Sequence, residues 1–246
     1  MSHLLQREVF ETKRRLEYFS SKELSMQLGA APACWGVVLI KELIDNALDA
    51  CETAQIAPEI RVTLTSNGFT VVDNGSGLPP ALIERSLDYD IRVSDKTYYV
   101  SPSRGQLGNA LKCLWAAPYA IDPDHPGHVE VVSLGVEHHI AGTVDRIAQE
   151  PRLKHLVAEA PICRNGTSIT LSAPKIACYH TWEEIDDFYK PAQDLIETYA
   201  AFNPHATFQL KTPDLTRDYP ATTPTWQKWL PSHKTSPWVC PTFYTR

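Results

Sequence analysis

An α+β fold is predicted from this 246-residue sequence by three observations. Residues 35–54 place Leu39, Leu43, Ala47 and Ala50 at helical period, the mark of an amphipathic helix. Ile60–Thr65 and Phe69–Asp73 alternate apolar with polar residues around Asn67-Gly68, a strong hairpin signal. Further alternating runs at 128–134, 136–141, 144–150 and 167–171 read as an antiparallel meander.

From the N-terminus, residues 6–18 read as a helix, and a loop then ends near Gly29. After the hairpin, Pro79-Pro80 opens a short helix, because proline suits the first helical turn. Residues 88–107 show no steady period and are rich in charge, Tyr and Ser, as a long functional loop that orders on binding would be. A helix resumes from Gly108 to Trp115, a long one follows at 182–202, and Thr207–Leu210 is a final strand. Residues 1–212 are expected to form one domain. The segment 213–246 holds six of the nineteen prolines and three of the six tryptophans. It is expected to be an extended arm, the start of a following domain, because so short a piece cannot bury a sufficient core alone.

A hydrophobic content of 43% with 21% charged residues describes a soluble globular chain. No apolar run is long enough to span a bilayer, and Met1-Ser2-His3 does not open a signal peptide. The net charge of −6 argues against binding DNA through the overall field, and Lys13-Arg14-Arg15 is too small a cluster to alter that. Cysteines at 34, 51, 113, 163, 178 and 240 form no C-x-x-C pair, so neither a zinc site nor a disulfide scaffold is expected. A reducing, cytoplasmic setting follows as the expectation.

Glu42, Asn46 and Asp49 recur at i, i+4 and i+7, so they share one helix face beside the apolar stripe. A carboxylate and a carboxamide one turn apart suit Mg²⁺, which takes few protein oxygens and completes its shell with water and phosphate. Asp73 followed by Gly75 and Gly77 lets backbone approach a flat ligand, although Asp-Asn-Gly is also a turn-prone run in its own right. His138 and His139 are neighbours on a predicted strand and point to opposite faces, so they are not expected to chelate one ion together.

Glu42-x-x-x-Asn46-Ala47-x-Asp49-Ala50, Asp73-x-Gly75-x-Gly77, Gly105-x-x-Gly108 and Gly166-Thr167 resemble, in order, the motifs of the GHKL ATPases. That superfamily includes gyrase B subunits, MutL repair proteins, ninety-kilodalton heat-shock chaperones and sensor histidine kinases. Ser103-Arg104-Gly105-Gln106-Leu107-Gly108 is most similar to the lid of the topoisomerase VI B subunit, as are Tyr18-Phe19-Ser20, Pro58-Glu59-Ile60 and Asn203-Pro204-His205-Ala206. The resemblance implies a Bergerat fold: a two-layer sandwich of a mixed, mainly antiparallel sheet with helices on one face, and ATP held between helices and a mobile lid.

What the resemblance implies for the residues is specific. Glu42 polarises the attacking water, Asn46 holds Mg²⁺, and Asp49 either touches the nucleotide or orients its neighbours. Asp73 accepts a hydrogen bond from the adenine amine, Gly75 and Gly77 shape the turn and the approach to the base, and Thr167 supports Asp73. Gly105, Gln106, Leu107, Gly108 and Asn109 present N–H groups to the phosphates, where a helix N-terminus favours anions. Lys96, Arg104 and Lys112 are candidate phosphate-side cations. The lid departs from the topoisomerase VI pattern, with Ala110 where a glycine is expected and Asn109 where an apolar residue is.

The family's function follows as expectation: an ATPase module in which ATP closes a homodimer and controls DNA strand passage by an A-type partner. The topoisomerase relatives also carry a transducer whose lysine reaches the γ-phosphate, and nothing after residue 210 resembles it. Either the chain is a fragment or hydrolysis is impaired, so slow or absent turnover is expected. The alternative is a nucleotide-gated dimerisation switch or scaffold without topoisomerase activity. A sensor-kinase reading is weaker, for no phosphoacceptor-histidine helix pair precedes Glu42.

Overall fold

One set of alternating side chains is buried in each central strand, and that single buried face organises the molecule. The computed structural model describes residues 14–90, 109–148, 150–160, 165–176 and 189–223. Eight strands form one sheet: β1 (Glu59–Thr65), β2 (Gly68–Val72), β3 (His128–Ser133), β4 (Val136–Asp145), β5 (Glu150–Glu159), β6 (Thr167–Ser172), β7 (Thr207–Lys211) and β8 (Thr216–Tyr219). Their order is β5-β4-β3-β6-β2-β1-β7-β8, antiparallel throughout except for the parallel β1–β7 pair. Ile60, Val62, Leu64, Phe69, Val71, Val129, Val131, Ile169, Leu171, Phe208 and Leu210 make the buried face, while the residues between them stay largely accessible. This is the mixed sheet of an α+β two-layer fold.

Among the described residues five α-helices accompany it: α1 (Ser21–Leu28), α2 (Trp35–Ala54), α3 (Pro80–Ser86), α4 (Ala110–Ile121) and α5 (Tyr189–Phe202). Helix α2 has the bounds its periodicity predicts, but its buried surface is broader. Ile40, Ile44, Leu48 and Cys51 join Leu39, Leu43 and Ala47 because the helix meets β1 and β2 on one side and α4 and α5 on others. Helix α4 is buried nearly all round from Lys112 to Ile121.

Several elements differ from expectation, each for a local reason. Within the described residues, the first predicted helix is a 3-10 turn over Arg14–Phe19 that tucks Tyr18 and Phe19 into the core; residues 6–13 lie outside them. The loop expected before Gly29 is instead α1. Ser20 accepts the Glu23 N–H as its N-cap, and Gly29 closes it at φ 65°. Helix α4 runs past Trp115 and through Pro118, since burial of Ala116, Ala117, Tyr119 and Ala120 offsets the missing N–H. The run at 144–150 is not one strand. The Asp145 carboxylate accepts N–H bonds from Ile147 and Ala148 (2.9 and 3.0 Å), turning the chain into β5. Strand β5 is an edge strand with no fully buried residue, which is why its alternation is shallow and why Pro151 is tolerated there. Strand β8 lies within the segment read as an arm, and the residues beyond 223 lie outside the described ones, as does the start of the helix predicted from 182.

Ile44 is fully buried where α2 meets the core. Ile44→Ala is expected to cost about 2–5 kcal/mol in urea unfolding, in the range of large-to-small core substitutions. A change below about 1 kcal/mol would show that this contact does not bear on the core.

Candidate functional site

Strand β2 ends by delivering Asp73 to the mouth of the fold, and β6 holds it there. The Asp73 N–H donates to the Thr167 carbonyl (2.9 Å), extending the β2–β6 ladder by one residue. The Asp73 carboxylate then accepts on Oδ1 from the N–H groups of Gly75 (2.8 Å) and Thr167 (3.3 Å). Among the described residues, Oδ2 receives no donor. Burial pushes this carboxyl up to about 6 from the ordinary 3.8, against the opposing pull of the two N–H bonds. The result is a half-buried acid with one oxygen anchored and one able to accept a hydrogen bond from a ligand.

The loop from 73 to 78 is pinned on both sides. Asn74 donates to the Ala57 carbonyl (2.9 Å) and accepts from the Glu59 N–H (2.9 Å) and the Cys51 thiol (3.3 Å), which fastens the loop to the end of α2. Buried Ser133, at the end of β3, donates to the Gly166 carbonyl (3.0 Å) and accepts from the Leu78 N–H (2.8 Å). Gly166 sits at φ 89°, and a Cβ there would fall 2.0 Å from the Asp73 carbonyl oxygen, so only glycine fits. Gly77, at φ 84°, would drive a Cβ to 2.6 Å from Leu134. Ser133 and Asn74 are contributions that no sequence signal announced: a serine closing a Val-Val-Ser strand and an asparagine inside a turn run look ordinary.

Helix α2 supplies the polar stripe. Glu42 and Asn46 are partly exposed, whereas Asp49 is buried. Glu42 lies beside α4, for burial and then the Glu42 charge push the Cys113 thiol up to about 12. Lys41 donates to Glu42 Oε1 (3.1 Å) and to Asp45 Oδ2 (2.8 Å), while the Tyr199 hydroxyl of α5 donates to Asp45 Oδ1 (2.6 Å). A second acid of that face, Glu52, meets His205 at 3.0 Å. Thus α2 carries two sets of acids, one toward the site and one that docks α5 and the start of β7.

The remaining predicted residues divide. Lys112 is buried: its ammonium donates to the Asp88 carbonyl (2.7 Å) and lies over the Tyr89 ring. That engagement ties α4 to the residues that follow α3. Asn109 precedes α4 without capping it. Its Nδ2 donates to Gln27 (3.2 Å), and among the described residues its buried Oδ1 has no hydrogen-bond partner. Gly105, Gln106, Leu107, Gly108, Lys96 and Arg104 lie outside the described residues.

The adjacent histidines do face opposite ways. His138 is buried against His155 (2.9 Å), while His139 meets Glu137 (2.5 Å) and stands near Glu130 on the accessible face of the sheet.

Residues 37–175 match the family described as histidine kinase-, DNA gyrase B-, and HSP90-like ATPase, and the chain belongs to that family. It is similar to the B subunit of type 2 DNA topoisomerase 6 from Methanococcoides burtonii, at 26% identity over 219 residues, which is 84% of this chain and 31% of that protein. The corresponding protein of Archaeoglobus fulgidus is 37% identical over 81 residues, or 31% of this chain and 13% of that protein. The chain therefore spans about a third or less of the length of these relatives. The Aquifex aeolicus MutL ATPase domain complexed with ADP superposes with a TM-score of 0.46 at 18% identity, covering 76% of this chain and 64% of that one. Family membership makes this chain an ATP-binding module of an ATPase family.

A prediction about folding follows from Asp73. Its folded value lies above the ordinary one, so the stability it contributes is present at low pH and is lost as pH rises through about 6. Near neutral pH the ionised, half-buried carboxylate works against the fold. Asp73→Asn keeps an acceptor oxygen for both N–H groups and is expected to melt at or above the wild-type temperature in calorimetry at neutral pH. A drop of several degrees would mean that the charge itself stabilises this loop.

Proposed function

We propose that this chain is the Mg-ATP-binding and hydrolysing module of a protein similar to the B subunits of type IIB topoisomerases. In this reading ATP closes a homodimer and thereby controls DNA strand passage by an A-type partner. The observation that carries the nucleotide site is the half-anchored, half-buried Asp73 carboxylate beside the end of α2. An acceptor-only group selects the exocyclic amine of adenine over the carbonyl of guanine, which would face the carboxylate with its own lone pairs. The similarity to topoisomerase 6 B subunits over 84% of the chain supports the choice of branch. Free Cys34, Cys51 and Cys113 suit a reducing cytoplasm.

In this reading Glu42 orients and polarises the attacking water, with one oxygen held by Lys41 and, among the described residues, no donor to the other. Asn46 is the metal-side ligand, and Asp49, buried one turn on, orients the polar stripe. Thr167 holds Asp73 in place through its N–H and carbonyl, and Gly75 and Gly77 bring the backbone against the base. The neutral amide oxygen of Asn46 on an acid-bearing face fits a hard cation, and Mg²⁺ bound there would neutralise phosphate charge. The resemblance assigns the phosphate contacts to Gly105, Gln106, Leu107, Gly108 and Asn109, and the phosphate-side cations to Lys96 and Arg104.

Titration of the full chain with Mg²⁺ and a non-hydrolysable ATP analogue tests the site. Asp73→Asn is expected to lose most adenine-nucleotide affinity, and equal affinity would remove Asp73 from the site. Wild-type affinity is expected to fall about tenfold per pH unit below about 6 as the carboxyl is protonated. Glu42→Ala should keep the analogue and lose hydrolysis by about a hundredfold or more; brisk hydrolysis by that variant would displace Glu42 from its role. Turnover by this chain alone is expected to be slow but measurable in single-turnover assays. The net charge of −6 is what favours the second reading, a dimerisation switch that does not engage DNA. DNA relaxation on coexpression with an A-type partner separates the two.

A further inference from the structure

The Lys41 side chain does something that helix geometry alone does not call for. Adjacent residues on a helix do not face each other, and a lysine four residues before an acid is the less favourable order for such a pair. An exposed pair of this kind is also worth little. Yet the Lys41 ammonium bridges Glu42 Oε1 (3.1 Å) and Asp45 Oδ2 (2.8 Å), its neighbours in both senses.

The reason lies on another helix. Asp45 is buried, with its side chain 8% exposed, and its second oxygen accepts the Tyr199 hydroxyl at 2.6 Å. Tyr199 is itself set by packing near Phe208 of β7 and by the bond from Asn203 to its carbonyl. Asp45 is therefore a fixed anion, held from α5, and it draws the Lys41 head inward toward the Glu42 carboxylate. Partial burial opposes the charge on Lys41, but the bond to Asp45 and the two carboxylates outweigh it and raise its pKa above the ordinary value. Lys41 thus stays a cation at Glu42. Among the described residues Glu42 Oε2 receives no donor, so one oxygen of this acid is anchored and the other is open.

We propose that Tyr199, Asp45 and Lys41 form a positioning relay that orients Glu42 for water activation, making α5 part of the hydrolytic machinery although no nucleotide motif lies on it. The relay rests on the reading of Glu42 given above. None of the three need touch the nucleotide; each acts through the next. A water held by a carboxylate with a single free oxygen has one direction of approach, and loss of that orientation shows in rate rather than in binding.

The test pairs two measurements on the full chain: single-turnover hydrolysis of Mg-ATP and equilibrium binding of a non-hydrolysable analogue. Lys41→Met is expected to slow hydrolysis about tenfold or more with less than about a twofold change in analogue affinity. Lys41→Arg, which keeps the charge and reach, should recover most of the rate. Tyr199→Phe should slow hydrolysis by about threefold to tenfold alone, and add nothing in the Lys41→Met background, as expected of residues acting in series. A Lys41→Met protein that hydrolyses like wild type while Glu42→Ala does not would overturn the relay and leave the site reading intact. Fully independent effects of Lys41→Met and Tyr199→Phe would also overturn it. A wild-type chain that binds the analogue but splits no ATP overturns the hydrolytic reading and the relay with it.

Discussion

The tie between Asp73 and Thr167 is the constraint on which the site depends. It is made twice, once by main chain to main chain and once by N–H to carboxylate. The first bond continues a sheet ladder; the second uses a residue of that ladder to aim an acid. Because β2 and β6 are central strands, the acid inherits the rigidity of the whole sheet. Ser133 then locks the flanking turn from the neighbouring strand β3, so three strands converge on one carboxylate.

Around that point the molecule places polar groups where apolar ones would pack more simply. Helix α2 buries Asp45, Asp49 and Glu52, and α4 buries Lys112. Asp45, Glu52 and Lys112 have partners on a different element: Tyr199, His205 and the Asp88 carbonyl. Unpaired, such groups would cost several kcal/mol; paired, they specify one docking of helix on helix. The arrangement explains how α5, which carries few buried residues of its own, sits in a defined place against α2.

Much of this was legible from residues alone, but unevenly. Helix α2 and the β1–β2 hairpin were readable because period and turn chemistry agreed, and the GHKL motifs named the family. What escaped notice shared a cause. Strands β5 and β8 lie at the two sheet edges, bury little, and so leave little alternation to read. Helix α1 was missed although Ser20 and Glu23 spell a capping signal, because its apolar face is thin: Leu24 is its buried residue. The inward turn of Lys112 to the Asp88 carbonyl is set by the packing of α4, which its sequence does not announce. Ser133 and Tyr199 act across 33 and 154 positions of sequence, to Gly166 and Asp45, a separation no local pattern records.

Strand β8 has a consequence for anyone trimming this protein. It covers the outer hydrogen-bonding row of β7, and its Arg217 and Tyr219 clasp Glu197 on the helix above. A version cut back to residue 212 would bare that row and present a ready template to another chain. Such a shortened form would stick to itself through its own margin, and any self-association seen there would reflect the missing seam rather than a nucleotide-driven closure.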